Sequence, residues 1–472
     1  HPSSESYELY LRGQQLLRER HYGNAVRQFE RLLTEDPKFV PAYGGLGLAY
    51  IMEIIDVRVD VLANREKLQR VLDRGLELTP ENADLLALRA QLARYDGHID
   101  LAEKTFAQAR DREPSNAVVR ALYPTFKLDC SDPRSALQLS KQSLATDPYN
   151  TFTYITIWAS HVDLGEAEEA HAAAGRYLEI SDPHDISGEF MRGVTSLLLL
   201  GDFVEGISAF ERSVARLEPE YLGTPSWLPL LYYSLGDLDR ADMLMEGMRK
   251  TPWDDVGKVA AETYHELSHG NLDAARTRAR AALKATRIWG GADTDMIIMR
   301  LALDSMIASG EGQRVVAFVE SLAPQYAVYK RQDRMDGRSF SPAPIAIKSA
   351  FTSFPALYFP VYIRALRASG EEAAAARMLN HLDAILSFRR EQGLFIEERY
   401  TAEALALRGQ TDAALSALEK AERDRTLYHW WLTEILHNDT FADIRDHPRF
   451  IALIERMRDD LKRQRERLHA TK

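Results

Sequence analysis

The string His265-Glu266-Leu267-Ser268-His269 comes nearest to catalytic chemistry in this sequence. On a helix, histidines four residues apart face one side and can hold a zinc ion, with the intervening glutamate as general base. A catalytic zinc needs a third protein ligand. The segment downstream, Asn271 to Thr286, offers Asp273 but no histidine or glutamate. The string therefore reads first as ordinary helix residues and second as the nucleus of a metal-dependent hydrolase. No G-x-x-x-x-G-K-[ST] loop or G-x-S-x-G elbow occurs, and Gly13, Gly44, Gly45 and Gly47 do not form a dinucleotide fingerprint. Carboxylate groups such as Glu166, Glu168 and Glu169 read as solvating charges on an exposed helix face. The single cysteine, Cys130, rules out an intramolecular disulfide and a cysteine-rich zinc site. The expectation is no catalytic residue, no cofactor and no resident metal.

The elements that carry these residues repeat. Proline recurs at Pro80, Pro114, Pro148, Pro183, Pro219 and Pro252, at intervals of 34, 34, 35, 36 and 33 residues. Glycines at Gly97, Gly165, Gly201, Gly236 and Gly270 keep the same beat. Between them, apolar residues fall three and four apart, as in Leu101, Ala102, Phe106 and Ala109, which places one stripe against a neighbouring helix. Each period reads as helix, turn, helix, turn, and strand-like alternation is absent.

Ala102, Phe106, Ala109 and Pro114 give an A-x3-F-x2-A-x4-P pattern, and Ala25, Phe29, Leu32 and Pro37 nearly repeat it. This pattern resembles the tetratricopeptide repeat (TPR) family. The resemblance implies an all-α, right-handed TPR superhelical solenoid of about eleven helical hairpins. Residues 1–325 read as an array of about nine hairpins with an insertion near 54–64, and 326–355 as a long loop or hinge. Two further hairpins follow at 356–428, and 429–472 reads as a C-terminal cap that hides the last apolar face. The C-terminal part also resembles the repeat regions of bacterial membrane-anchored winged-helix regulators or adenylate cyclases.

In such an array the first helix of each hairpin faces a concave groove. Projecting those helices gives Tyr7, Tyr10, Gln14 and Arg18 at the start, then Gln91, Arg94 and Tyr95, then Tyr233 and Tyr264, and finally Arg300, Arg364, Arg367 and Arg399. Tyrosines there would supply apolar contact and arginines would recognise carboxylates. Arg300, Arg364 and Arg399 are expected to converge with Arg367 one turn away, either as an anion site walled by Phe354, Tyr358 and Tyr362 or as an internal ladder balanced by Asp304 and Glu403.

Of the 472 residues, 45% are hydrophobic and 27% charged, as in globular proteins, and the net charge of -11 disfavours direct nucleic-acid binding. No stretch is apolar enough to span a bilayer. The first residue is His1, which suggests a processed or excised start and a periplasmic location, with the cytoplasm as alternative. The function these observations favour is a noncatalytic protein-protein interaction or sensing module, part of a larger bacterial regulator, that binds a protein or peptide partner of acidic character.

Overall fold

A computed structural model describes residues 4–19, 21–55, 61–96, 98–216, 227–250, 255–285, 293–322, 325–333, 355–425 and 432–471. Among the described residues every regular element is helical. The chain divides into two compact units, one up to Thr156 and one made of the described residues from Ile157 onward.

Unit 1 holds α1 (Ser4–Arg18), α2 (Tyr22–Glu35), α3 (Val40–Ile55), α4 (Val61–Leu78), α5 (Ala83–Tyr95), α6 (Ile99–Arg112), α7 (Ala117–Asp129) and α8 (Pro133–Leu144). Consecutive helices pair as antiparallel hairpins, and α1, α3, α5 and α7 also pack on one another in series. The repeat residues explain the pairing. Phe29 on α2 is fully buried, and a Cβ added at Gly13 on α1 or Gly45 on α3 would come within 2.5 Å of its ring. One hairpin's aromatic thus sits in a socket that two glycines leave open. Ala102, Phe106 and Ala109 are buried in the same way, with Phe106 stacked 5.2 Å from Tyr123 of the next hairpin. The expected insertion goes largely into helix: α3 and α4 run 16 and 18 residues, against 13 and 14 for α5 and α6. Residues 56–60 lie outside the described residues.

α9 (Thr151–Leu164) leads into unit 2, which continues with α10 (Ala167–Ile180), α11 (Ser187–Leu200), α12 (Phe203–Ala215), α13 (Trp227–Leu235), α14 (Leu238–Arg249), α15 (Asp255–Ser268) and α16 (Leu272–Ala285). Then come α17 (Asp293–Ala308), α18 (Gly312–Leu322), α19 (Gln325–Tyr329), α20 (Pro355–Ala368), α21 (Glu372–Glu391), α22 (Glu398–Leu407) and α23 (Thr411–Arg423). A short α24 (Leu432–His437), a 3-10 segment (Asp439–Ile444) and α25 (Pro448–Ala470) end the unit. Its turn glycines take left-handed backbone, with φ of 60° at Gly201 and 80° at Gly270, a conformation that side chains with a Cβ resist. The expected long loop begins with α19, and residues 334–354 lie outside the described residues.

The chain's end does more than cover a last hairpin. α25 buries Phe450, Leu453, Ile454, Met457, Leu461 and Leu468 against α23 and also against α12 and α13, some 250 residues earlier in the chain. Closer to the start of the unit, Arg389 and Phe395 both bond to Asp163 of α9. The end of unit 2 is therefore tied to its beginning.

Candidate functional site

The arginines expected to line an open groove do converge, but they are already matched. Arg300 on α17 donates to Glu403 on α22 at 2.6 Å, and Arg399 lies 3.6 Å from the same carboxylate and 3.5 Å from Glu397. Arg364 on α20 donates to Asp304 at 2.5 Å and lies 3.7 Å from Asp439. Asp439 also faces Arg276 and Arg445, and the Asn438 amide donates to Glu403 at 2.6 Å. Arg300 and Arg399 are buried, and the chain's own segment 438–445 packs on α20 and α22 and bonds to Glu403 through Asn438. Burial raises the Asp304 carboxyl above its ordinary value against the pull of Arg364 and Arg300.

This corrects the groove assignment for Arg300, Arg364 and Arg399 and realises the ladder with Asp304 and Glu403. Arg367 does not join it, since it faces Glu372 of α21 at 3.9 Å. Phe354 and the Tyr358 side chain lie outside the described residues, and Tyr362 is buried with its hydroxyl bonded to Glu320 at 2.6 Å.

Other expected groove positions are also core. Arg94 and Asp129 form a fully buried ion pair of 2.8 Å between α5 and α7, and Gln91 is buried nearby. Burial of the Asp129 carboxyl, opposed by Arg94, pushes it up to about 6. Tyr264 is buried, and so is the ring of Tyr233. The physical reason is shared: in these tightly stacked hairpins the first-helix side chains fill the seams between successive first helices. Tyr10 likewise packs on Phe29 and Phe39. Tyr7 is 53% exposed. The Tyr95 side chain lies outside the described residues.

The histidine string acquires a neighbour that its own helix did not offer. Asp242, on α14 of the preceding hairpin, lies 2.9 Å from His265 Nδ1 and 3.4 Å from His269 Nε2. The two imidazole rings are 4.2 Å apart, and the Tyr233 hydroxyl donates to Asp242 at 2.6 Å. Burial works against ionisation of Asp242, but hydrogen bonds from Tyr233 and His265 and the charge of the imidazoles outweigh it and hold the carboxyl below its ordinary value. Glu266 turns away to Arg278 at 3.2 Å and Asn271 at 3.1 Å. A base for hydrolysis is therefore not aimed at the cluster. Asp242 carries no signal in the sequence, because its partnership depends on which face of the previous second helix meets the next first helix.

A pocket of about 270 Å³ opens in unit 1 between α6, α7 and α8. Its origin is local. Pro124 lies inside α7 and cannot donate to the Arg120 carbonyl one turn back. The Ser143 hydroxyl of α8 donates to that carbonyl instead, at 3.3 Å. Val119, Tyr123, Pro124 and Leu139 give the pocket apolar walls, while Arg110 and Arg120 supply two guanidinium groups. Arg110 sits 5.8 Å over the Tyr123 ring and bonds to Asp111, and Arg120 bonds to Thr146. The sequence signal was Pro124 itself, a proline that falls off the repeat beat.

No family model and no curated protein matches the chain. Among solved structures it is similar to a tetratricopeptide repeat protein from Parabacteroides merdae, with 14% identity over 53% of this chain and 97% of that one and a TM-score of 0.39. It is also similar to PilF of Pseudomonas aeruginosa, with 16% identity over 46% and 94% and a TM-score of 0.34. The APC/C hetero-tetramer Cut9-Hcn1 aligns with 14% identity over 96% and 76% and a TM-score of 0.36. Similarities this distant assign no function, and the fold is seen directly in the chain's own helices. With Ala102, Phe106 and Ala109 buried between paired helices and the turn glycines in left-handed backbone, this is an all-α protein built of repeated helical hairpins similar to tetratricopeptide repeats.

Proposed function

We propose that the chain is a noncatalytic protein-interaction module and that unit 1 takes an acidic peptide segment in the pocket between α6, α7 and α8. The pocket's composition carries this reading: two guanidinium groups beside an apolar wall, with no carboxylate among the described residues that line it, on a protein of net charge -11. A partner carboxylate would bond to Arg120, with Arg110 adding charge, while the neighbouring apolar side chain rests on Tyr123, Pro124 and Leu139. Stacked hairpins suit this role because each touches mainly its neighbours, so that surface residues can vary without altering the fold. Arg300, Arg364 and Arg399 of unit 2 are already engaged by Asp304, Glu397, Glu403 and Asp439 and are not counted in this reading.

The test is an array of short acidic, neutral and basic peptides probed with the full chain at two salt concentrations. Preferential capture of acidic peptides bearing a large apolar residue is expected, weakened by salt and lost in Arg120→Glu. Arg120→Ala should weaken the best peptide by about 1.5–3 kcal/mol. Capture without regard to charge, or capture undiminished in Arg120→Glu, would remove the reading.

A further inference from the structure

Three potential ligand groups from two successive hairpins meet on one side of unit 2. Asp242 comes from α14, His265 from α15 and His269 from the turn after α15. Their ligand atoms all lie within 4.8 Å of one another, and the pairs facing Asp242 are 2.9 and 3.4 Å apart. In tetrahedral zinc coordination, bonds of about 2.0–2.1 Å place adjacent ligand atoms about 3.3 Å apart. His265 faces one carboxylate oxygen of Asp242 and His269 the other, so small side-chain rotations bring one oxygen and the two nitrogens to that spacing.

Of the two imidazoles, His269 is already arranged for it, while His265 Nδ1, bonded to Asp242, releases its proton as the metal binds. His269 Nδ1 donates to the His265 carbonyl at 2.8 Å, which leaves Nε2 with its lone pair on the Asp242 side. The Tyr233 hydroxyl bonds to Asp242 Oδ1 at 2.6 Å and lies 2.8 Å from His265 Nδ1, so it stands beside the ligand atoms and turns from His265 when an ion enters. His265, His269 and Asp242 side chains remain 28%, 32% and 41% exposed, so an ion can enter and keep a water in a fourth position.

We propose that Asp242, His265 and His269 form a binding site for a divalent transition metal of the zinc class. Two imidazoles and one carboxylate favour zinc, cobalt or nickel over magnesium and calcium, which prefer an all-oxygen shell. With Glu266 held by Arg278 and Asn271, the ion's work here is structural or sensory: it pins the second helix of one hairpin to the first helix of the next. The peptide pocket of unit 1 shares no residue with this site, so each stands or falls alone.

The full chain, freed of metal with a chelator, is titrated with Zn2+ alone by calorimetry and with Co2+ alone by visible absorption. One equivalent of each is expected to saturate, with an intense tetrahedral Co2+ band and a higher melting temperature in Zn2+. His269→Ala, in the turn after α15, should lower Zn2+ affinity at least about tenfold with an unchanged circular dichroism spectrum. His269→Gln serves the same comparison if the alanine variant is poorly folded, and His184→Ala in a distant turn should bind as the parent does. Absence of the Co2+ band, or equal Zn2+ affinity in the parent and a folded His269 variant, overturns the proposal.

Discussion

Gln464 completes the helix start at Phe203, 261 residues before it: its side-chain carbonyl accepts from the Phe203 amide at 2.7 Å, and its amide donates to the Gly201 carbonyl at 3.0 Å. A turn between α11 and α12 is thereby satisfied by a side chain of α25. His469 makes a similar bond to Asp237 at 2.6 Å in the next hairpin's turn.

Gln464→Ala should lower the stability of unit 2 by about 1–3 kcal/mol, because both buried backbone groups lose their partner. Urea denaturation measures it. Ending the chain before Pro448 should have a larger effect, exposing the apolar surface of α12, α13 and α23 that α25 covers. Light scattering after size exclusion should then show aggregation, and a stable monomer would contradict the closure.

Gly45→Ala is expected to destabilise unit 1 by about 1–3 kcal/mol, since the new Cβ would meet Phe29 at 2.5 Å. Phe29→Leu alone should also cost stability. Combining the two should cost less than the sum of the separate losses, because the smaller side chain leaves room for the methyl group. Strict additivity in thermal melts would show that the socket is not shared.

Glu403→Gln should destabilise unit 2 by about 3–5 kcal/mol, as Arg300 and Arg399 would stay buried without their carboxylate. Replacing both partners, as in Arg300→Met with Glu403→Leu, should be milder than Glu403→Gln alone. A double variant that is worse than the single would show that the ion network is net stabilising.

Acidity should favour unit 1 through Asp129. Its folded carboxyl titrates at about 6, above the unfolded value of about 3.9, so the native state binds the extra proton between those values. The stability from this group is full below about pH 4 and is lost as pH rises through 6. Subtracting the stability profile of Asp129→Asn from that of the parent should leave a difference that declines over this window. A flat difference would mean that Arg94 fully offsets the burial.

The hairpins were legible because their cause is periodic: a buried Ala102, Phe106 and Ala109 must recur wherever two helices close on each other. The ion ladder was half legible. Helical spacing puts Asp304 one turn from Arg300 and Glu403 one turn from Arg399, but Arg364 gives no such clue to Asp439, and only the return of the chain end brings them together. Periodicity places Arg300 in an open groove because it describes neighbours and says nothing about Glu403, 103 residues away, whereas Arg94 is buried by the next hairpin itself. The role of Asp242 depends on the face one helix turns to another, which a single sequence does not display, whereas the pocket is marked by Pro124, a proline off the repeat beat.

The two units should come into being in different ways. Unit 1 is stitched mainly between adjacent hairpins, a topology of low contact order that can form piecewise as the chain emerges during synthesis. Unit 2 carries bonds such as Arg389 to Asp163 and Gln464 to Phe203 across 226 and 261 residues. Closing loops of that length is entropically slow and must wait for the last helix to be made. A nascent unit 2 would therefore stay open until translation has reached α25, and its final folding step should trail that of unit 1.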